Sequence, residues 1–314
     1  MTSIKTSLAI IGPTASGKSR LAIEIAKKIK GEIIGLDSRQ IYKDMSIGTA
    51  QLNKEEEEGI PHHLIGIKSP AERISAGAYA KLVLDEIKNI QSRNHVPIIC
   101  GGSGLYFRSL IQGIFKGSKS DYDVRKKLEN EYDKLGSHVL IDRLNRIDPD
   151  YAISVHPNNK KRLIRALEIY EITGKSPTEN FKQQSKKNKS KLKILSIYLE
   201  WERKILNDRI KNRTRMMLKA GWIDEVEKLI RKYPNKNLQP LDSIGYREIV
   251  LWLNSNRTLD DLEKMIYIKT RQFSVRQIKW FKKESIDFTI KMNNNSSIDK
   301  VSNNIIEKIM LSLS

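Results

Sequence analysis

Residues 12–19 read Gly-Pro-Thr-Ala-Ser-Gly-Lys-Ser, and no other stretch of the chain restricts the fold as tightly. An apolar run, Ser-Leu-Ala-Ile-Ile-Gly at 7–12, leads into it and is predicted to be a buried strand. Behind it, Gly17 to Lys30 sets Leu21, Ala22, Ile25 and Ile29 at helical spacing. A strand, a glycine turn and a helix start in that order make a phosphate-binding loop. The glycines let backbone N–H groups converge on phosphate oxygens, and the helix N-terminus adds its dipole. Lys18 supplies a point charge and Ser19 a hydroxyl that can ligate Mg²⁺. The whole of Gly12, Pro13, Thr14, Ala15, Ser16, Gly17, Lys18 and Ser19 is therefore expected to cradle a di- or triphosphate. The motif does not say which molecule carries the phosphates.

The rest of the chain repeats the alternation. Glu32–Leu36 and Val96–Cys100 read as strands, Tyr79–Arg93 as a helix, and Ile194–Leu199 as a late strand. Strands alternating with helices predict an α/β fold, a P-loop-containing core with a mostly parallel sheet. Between about 116 and 193 the pattern is helical, polar and basic. Residues 124–135, 139–146 and 158–172 are amphipathic, and the last stretch stops at Gly174-Lys175 with Pro177 beyond. Residues 186–193 carry five lysines in eight positions and are expected to be exposed. The reading is a core of residues 1–115 and 194–314 with an all-helical insertion domain at 116–193. After Glu200 the chain reads as helical almost to its end, a helical C-terminal region.

Charge narrows the partner. The 314 residues hold 57 Lys and Arg against 37 Asp and Glu, a net charge of +20. That excess favours a polyanion, nucleic acid above all, although solvated basic faces alone could produce it. Charged residues make up 30% and no apolar run is long enough to span a bilayer, which argues against a membrane protein. Cys100 is the only cysteine, so an internal disulfide and a cysteine-based zinc site are excluded, and a reducing cytoplasm is expected. It reads as a core residue. His62-His63 lack further ligands at metal spacing and are read as support for the crevice.

Asp37 ends the second strand, at the carboxyl edge of the sheet where open α/β folds bind ligands. It either caps a turn or supports Mg²⁺ indirectly, or acts as a general base beside a transferred group. Ser38, Arg39 and Gln40 add groups able to read a base edge or a phosphate. Gly101-Gly102-Ser103-Gly104 follows the third strand; it is a turn, or a second close approach of backbone to ligand with Ser103 on Mg²⁺ or phosphate. Arg209 and Arg213 lie four apart and share a helix face. Leu262, Ile266, Phe273 and Trp280 form an apolar stripe read as core, beside a basic stripe of Lys269, Arg276, Lys279 and Lys283.

These segments together resemble the tRNA dimethylallyltransferase, or IPP transferase, family. The matching stretches are Gly12–Ser19 (GPTASGKS), Asp37–Tyr42 (DSRQIY), Ile47–Ala50 (IGTA), Pro61–Ile65 (PHHLI) and Gly101–Tyr106 (GGSGLY). Arg162–Gly174 (RLIRALEIYEITG), Gly245–Glu248 (GYRE) and Thr270–Trp280 (TRQFSVRQIKW) continue the series in the family's order. The resemblance implies transfer of a dimethylallyl group from dimethylallyl diphosphate to the N6 amine of the adenosine 3′ of the anticodon, with Mg²⁺ as cofactor. It implies Asp37, Ser103 and Arg213 as catalytic residues, Asp37 as the base, and Lys18, Ser19-bound Mg²⁺ and Arg213 on the diphosphate. The tRNA anticodon stem-loop is implied to meet Asp37, Ser38, Arg39, Gln40, Ser103, Arg125 and Lys161, Arg162, Leu163, Ile164, Arg165. Further along it would meet Gly245, Tyr246, Arg247, Arg271, Gln272 and Arg276. A monomer is expected. Ser103 departs from the usual threonine, and Arg39 stands where methionine is common. A nucleotide or small-molecule kinase is the competing reading of a phosphate loop with a helical insertion. An RNA-binding GTPase or ATPase would need a guanine-reading Asn-Lys-x-Asp stretch or a water-activating residue, neither of which stands out.

Overall fold

The computed structural model describes residues 6–113, 120–187, 193–234 and 238–313. The chain divides into two compact units, one made of Met1–Arg108 and Leu192–Ser314, the other of Ser109–Lys191. The boundaries expected at 116 and 193 fall on or beside residues outside the described set. So does most of the lysine run at 186–193.

In the first unit β1 (Ser7–Ile11) is buried throughout. It is followed by α1 (Lys18–Ile29), β2 (Gly31–Leu36), the single-turn α2 (Ser46–Thr49), β3 (His62–His63), α3 (Ala76–Ser92), β4 (Val96–Gly101) and α4 (Gly104–Gln112), the last of which runs across the boundary at Arg108. The second unit carries α5 (Tyr122–Leu135), α6 (Ser137–Ile147), α7 (Pro149–Ile153), α8 (Lys160–Thr173) and α9 (Pro177–Lys187). The first unit resumes with β5 (Ile194–Trp201), α10 (Arg203–Lys219), α11 (Trp222–Lys232), a 3₁₀ turn at Gln239–Asp242, α12 (Tyr246–Leu253), α13 (Leu259–Phe281), β6 (Phe288–Met292) and α14 (Ile298–Leu313).

The sheet runs β3-β2-β4-β1-β5-β6, and every neighbouring pair is parallel. Central strands covered on both faces need near-continuous apolar sequence, and Leu8, Ala9, Ile10 and Ile11 are fully buried. The pairings Ile11↔Gly101 and Leu36↔Gly101 bring the carboxyl ends of β1, β4 and β2 side by side. The loops at 12–19, 37–40 and 101–104 therefore leave from one edge.

The sixth strand corrects the expectation of helix from Glu200 onward. Phe288, Ile290 and Met292 pack on the sheet's core while Thr289 and Lys291 face out, a period of two. Five residues of alternation were on view in the sequence but lie between two long helical stretches. The helix expected to stop at Gly174-Lys175 does so, α8 ending at Thr173 with Gly174 as its left-handed cap, and Pro177 beyond it opens α9, which suits a residue with no N–H to satisfy.

In the second unit Leu128, Leu140, Leu144, Leu163, Ile164 and Leu167 form its core. Asp121 caps α5 through the N–H groups of Asp123 and Val124, at 2.9 and 3.0 Å. Asp148 accepts from Tyr151 N–H and from both donors of Thr178, tying the starts of α7 and α9 together.

His62 and His63 do not support the crevice. His63 Nε2 meets Glu32 at 2.6 Å and its Nδ1 meets Glu86 at 3.1 Å. Glu32 sits at the start of β2, on the edge opposite the loops. It also takes Arg93 at 2.8 Å and His95 at 2.7 Å. Burial alone would raise this carboxyl, but the hydrogen bonds from Arg93, His63 and His95 win and hold it at about 2. A depressed carboxyl contributes stability above its unfolded value near 4.3 and loses it as pH falls toward 2. Glu32→Gln should therefore lower unfolding free energy by about 3 kcal/mol at neutral pH. It should flatten the loss of stability between pH ~4.5 and ~2, checked by denaturant titrations across that range.

Candidate active site

The phosphate loop is built on strained backbone. Gly17, the residue capping α1, has φ +85°, and Ala15 stands at φ 62°. A side chain at Gly17 would hold the loop in a conformation costly for an L-residue. Lys18 Nζ donates to the Pro13 carbonyl at 2.7 Å and lies 3.3 Å from Ser16 Oγ, curled over the loop. Trp201, at the end of β5, donates its indole N–H to the Ser16 carbonyl at 2.9 Å. From α10, Arg209 donates to the Ala15 carbonyl at 2.8 Å and stacks over the Trp201 ring, while Arg213 donates to Thr14 Oγ1 at 3.1 Å. The two arginines share a face, and that face is turned to the loop, not to solvent.

Three cations thus surround a cradle of backbone amides. Desolvation lowers Lys18 to about 8, against opposing pulls from Cys100 and Asp37, with Arg213 adding to the fall. Desolvation also lowers Arg213, partly offset by Asp37. Cys100 is buried at the end of β4, and burial raises its thiol to about 11. The cradle holds excess positive charge with little water around it, so an anion entering it gains strongly.

Asp37 follows β2 directly. Its Oδ1 accepts the Arg39 N–H at 2.8 Å and the Gln40 N–H at 3.4 Å, which closes a local turn. No hydrogen bond to its Oδ2 occurs among the described residues. Ser103 Oγ accepts the Ser38 N–H at 3.2 Å, linking the glycine turn after β4 to the residue beside Asp37. The Gln40 amide is committed to the carbonyls of Thr49 and Ala50, at 3.0 and 3.1 Å, so it shapes the wall instead of facing an incoming partner.

Thr14, Ala15, Asp37, Ser38, Arg39, Ser103 and Arg213 all line one cavity of about 330 Å³. Its remaining wall mixes apolar side chains, Ile210, Met217, Trp222, Ile266 and Phe273, with the polar Thr49, Thr214, Asp242, Ser243 and Thr270. Phe273 corrects the sequence reading. It is 37% exposed and lines the cavity together with the buried Ile266, whereas Leu262 of the same stripe is fully buried and does not line it. Helical spacing locates a face but not where that face leaves the core.

Two residues missed in the sequence hold this wall. Glu225 accepts the N–H groups of Ile47 and Gly48 at 2.7 and 3.0 Å and the Tyr246 hydroxyl at 2.7 Å. It thereby caps α2 from a distant helix. Gln277 is the second, and its bonds join two loops. No local pattern marks either one.

Of the residues expected to meet RNA, Lys161, Arg162, Arg247, Arg271, Gln272 and Arg276 are exposed. Leu163 and Ile164 are buried in the second unit's core, and Gly245 and Tyr246 are buried in the first unit against Trp222, so these four carry neighbours and do not themselves face outward. Arg125 and Arg165 converge on the buried Glu168 at 2.9 and 2.7 Å. Burial would raise Glu168, yet Ser120, Arg165 and Arg125 keep it below the usual carboxylate range. Arg162 lies over the Tyr151 ring and donates to Ser154 at 3.2 Å. Lys269, Lys279 and Lys283 are exposed along α13 and just beyond it.

Among the described residues no group of three His, Cys, Asp or Glu side chains could hold a metal ion. Mg²⁺ keeps several waters and takes one or two protein oxygens plus substrate phosphates, so it needs no such group. The Ser19 hydroxyl at the start of α1 fits an ion that arrives with a diphosphate. No helix among the described residues is long and apolar enough to cross a membrane.

The sequence model of the IPP transferase family matches residues 40–284. The chain is 42% identical over 299 residues to a tRNA dimethylallyltransferase of Acetivibrio thermocellus, covering 95% of each. Among solved structures it resembles the full-length tRNA isopentenylpyrophosphate transferase from Bacillus halodurans, with TM-score 0.70, 35% identity and coverage of 98% and 97% of the two chains. It also resembles a eukaryotic dimethylallyltransferase captured acting on tRNA, with TM-score 0.82 and 30% identity over 96% of this chain and 80% of that one.

Proposed function

Because this chain belongs to the IPP transferase family, we propose that it transfers a dimethylallyl group from dimethylallyl diphosphate to the N6 amine of the adenosine 3′ of a tRNA anticodon. The relatives at 42% identity are named for that class of reaction. The observation that carries the reading is one cavity lined by Thr14 and Ala15 of the phosphate loop, by Arg213, by Asp37 and by a cluster of apolar side chains. A base, a leaving-group site and room for a five-carbon chain then border one space.

The adenine N6 lone pair attacks the allylic C1 as the C1–O bond to diphosphate breaks. The proton lost from N6 passes to Asp37 Oδ2, and the electron pair of the broken bond leaves on the diphosphate. Lys18, Arg213 and the loop amides stabilise that growing charge. Mg²⁺, held by Ser19 and the phosphate oxygens, would add charge neutralisation on the same group. Ser103 keeps Ser38, and with it Asp37, in place. The Asx turn on Oδ1 fixes the carboxylate so that Oδ2 is aimed. The target adenosine has to leave its stack to reach N6 chemistry. Exposed Lys161, Arg162, Arg271, Gln272 and Arg276 would position the RNA by its phosphates. A kinase would need several cations for a second phosphate, whereas beyond Arg213 the cavity lining holds one further cation, Arg39, and the acid Asp242.

Lys18 must be charged to bind the donor. With its free-enzyme value near 8, kcat/KM for dimethylallyl diphosphate should fall above pH ~8, while kcat, read from the complex in which bound diphosphate holds the proton on, should not share that limb. A pH profile with a variable donor concentration checks this. The reading as a whole is tested by incubating the protein with dimethylallyl diphosphate, Mg²⁺ and an anticodon stem-loop RNA and looking for prenyl mass on one adenosine. Absence of added mass, alongside phosphoryl transfer from ATP to a nucleoside monophosphate, would replace it with the kinase.

A further inference from the structure

We infer that Gln277 is a positioning residue that sets the distance between the leaving-group site and the base. It rests on the assignment of the cradle to diphosphate and of Asp37 to the N6 proton. Gln277 lies on α13, 7% exposed, far in sequence from either loop it touches. Its Oε1 accepts the Thr14 N–H at 2.8 Å, and its Nε2 donates to the Gly102 carbonyl at 2.9 Å. β1 and β4 are paired as far as Ile11 and Gly101, and past those residues both chains turn away as loops. Gln277 is the bridge at that point.

Each end of the bridge leads to one half of the chemistry. Thr14 also receives Arg213 on its hydroxyl at 3.1 Å, so the phosphate side hangs from it. Gly102 precedes Ser103, whose hydroxyl holds Ser38 beside Asp37 at 3.2 Å. One side chain therefore spans from the cation set to the base. The Thr14 N–H is one of the loop's own donors; giving it to Gln277 fixes the loop before any phosphate arrives. The fit is close: a Cβ placed at Gly102 would come within 2.5 Å of Gln277 Nε2. At neutral pH a primary amide of this length accepts at one atom and donates at the other. Methionine of similar size does neither, and an ionised glutamate can only accept.

A displacement of the two loops by a fraction of an ångström acts on geometry, so it is read in turnover more than in donor affinity. The test compares wild type, Gln277→Met and Gln277→Glu with dimethylallyl diphosphate, Mg²⁺ and stem-loop RNA, following kcat, donor KM, binding of inorganic diphosphate and thermal melting. Gln277→Met is expected to lower kcat about 10- to 100-fold with donor KM and diphosphate binding little changed. For Gln277→Glu, the kcat ratio to wild type should climb as pH falls, because the protonated carboxyl again offers one acceptor and one donor. A folded Gln277→Met with wild-type kcat overturns the inference, and so does a Gln277→Glu ratio that is flat with pH. If Gln277→Met does not fold, the glutamate profile decides. Wild type that fails to prenylate the RNA would sink the proposed function itself, which the same plate distinguishes.

Discussion

Asp37→Ala is expected to lower kcat by about 10²- to 10⁴-fold, the range for removing a positioned general base. Donor KM should move little, because the phosphates are held by the cradle and the cations and not by this carboxylate. The variant also loses the turn that Oδ1 closes with Arg39 and Gln40, so Asp37→Asn is the sharper comparison. Asparagine keeps an oxygen able to accept both N–H groups, yet cannot take the N6 proton. If the carboxylate works as a base, Asp37→Asn should be nearly as slow as Asp37→Ala. Recovery of most of the rate in the asparagine variant would make Asp37 a turn residue only. Single-turnover prenylation with saturating donor separates the chemical step from RNA binding.

Lys18→Ala is expected to cost about 10²- to 10³-fold in kcat and to raise donor KM as well. On the proposed assignment Lys18 touches the diphosphate in the ground state and faces more charge as the C1–O bond opens, so both constants would carry its loss. Arg213→Gln should behave similarly but more weakly in KM, since Arg213 reaches only the Thr14 side of the loop. Joined in one chain, the two substitutions should fall short of the product of their separate effects, because both act on the same leaving group. A double-mutant cycle on kcat measures this. Full additivity would separate Arg213 from the diphosphate.

The phosphate loop was legible because its parts are contiguous: strand, glycines, lysine and helix start lie within a few residues. Asp37 and Ser103 were legible for a related reason, since a strand ending in a polar residue places it on the sheet's ligand edge. The family expected from the scattered motifs is the one whose sequence model matches. The supports of the site were less visible. Trp201, Glu225 and Gln277 reach it from 175 or more positions away. Their identity as a Trp, a Glu or a Gln says nothing until strand or helix register fixes which way each one points. Phe273 shows the same limit, as spacing marked its face and only packing shows where the core ends. β6 was missed because five alternating residues between helices give a weak signal, and parallel pairing with β5 decides their state. His63 was misplaced because a strand's two ends look alike in sequence; the carboxylates of Glu32 and Glu86 draw it to the wrong end for catalysis.

The strand order is also a timetable for synthesis. One side of β1 finds its neighbour β4 once about a third of the chain has left the ribosome, but the other side waits for β5, which follows the entire Ser109–Lys191 unit. At translation speeds near 10 residues per second, that open flank stays unpaired for roughly ten seconds. A flat, apolar, unpaired strand is an invitation to other nascent chains. The helical unit inserted between β4 and β5 therefore lengthens the window in which a polysome making this enzyme is vulnerable to aggregation. Any slow codon cluster within its coding region would widen it further.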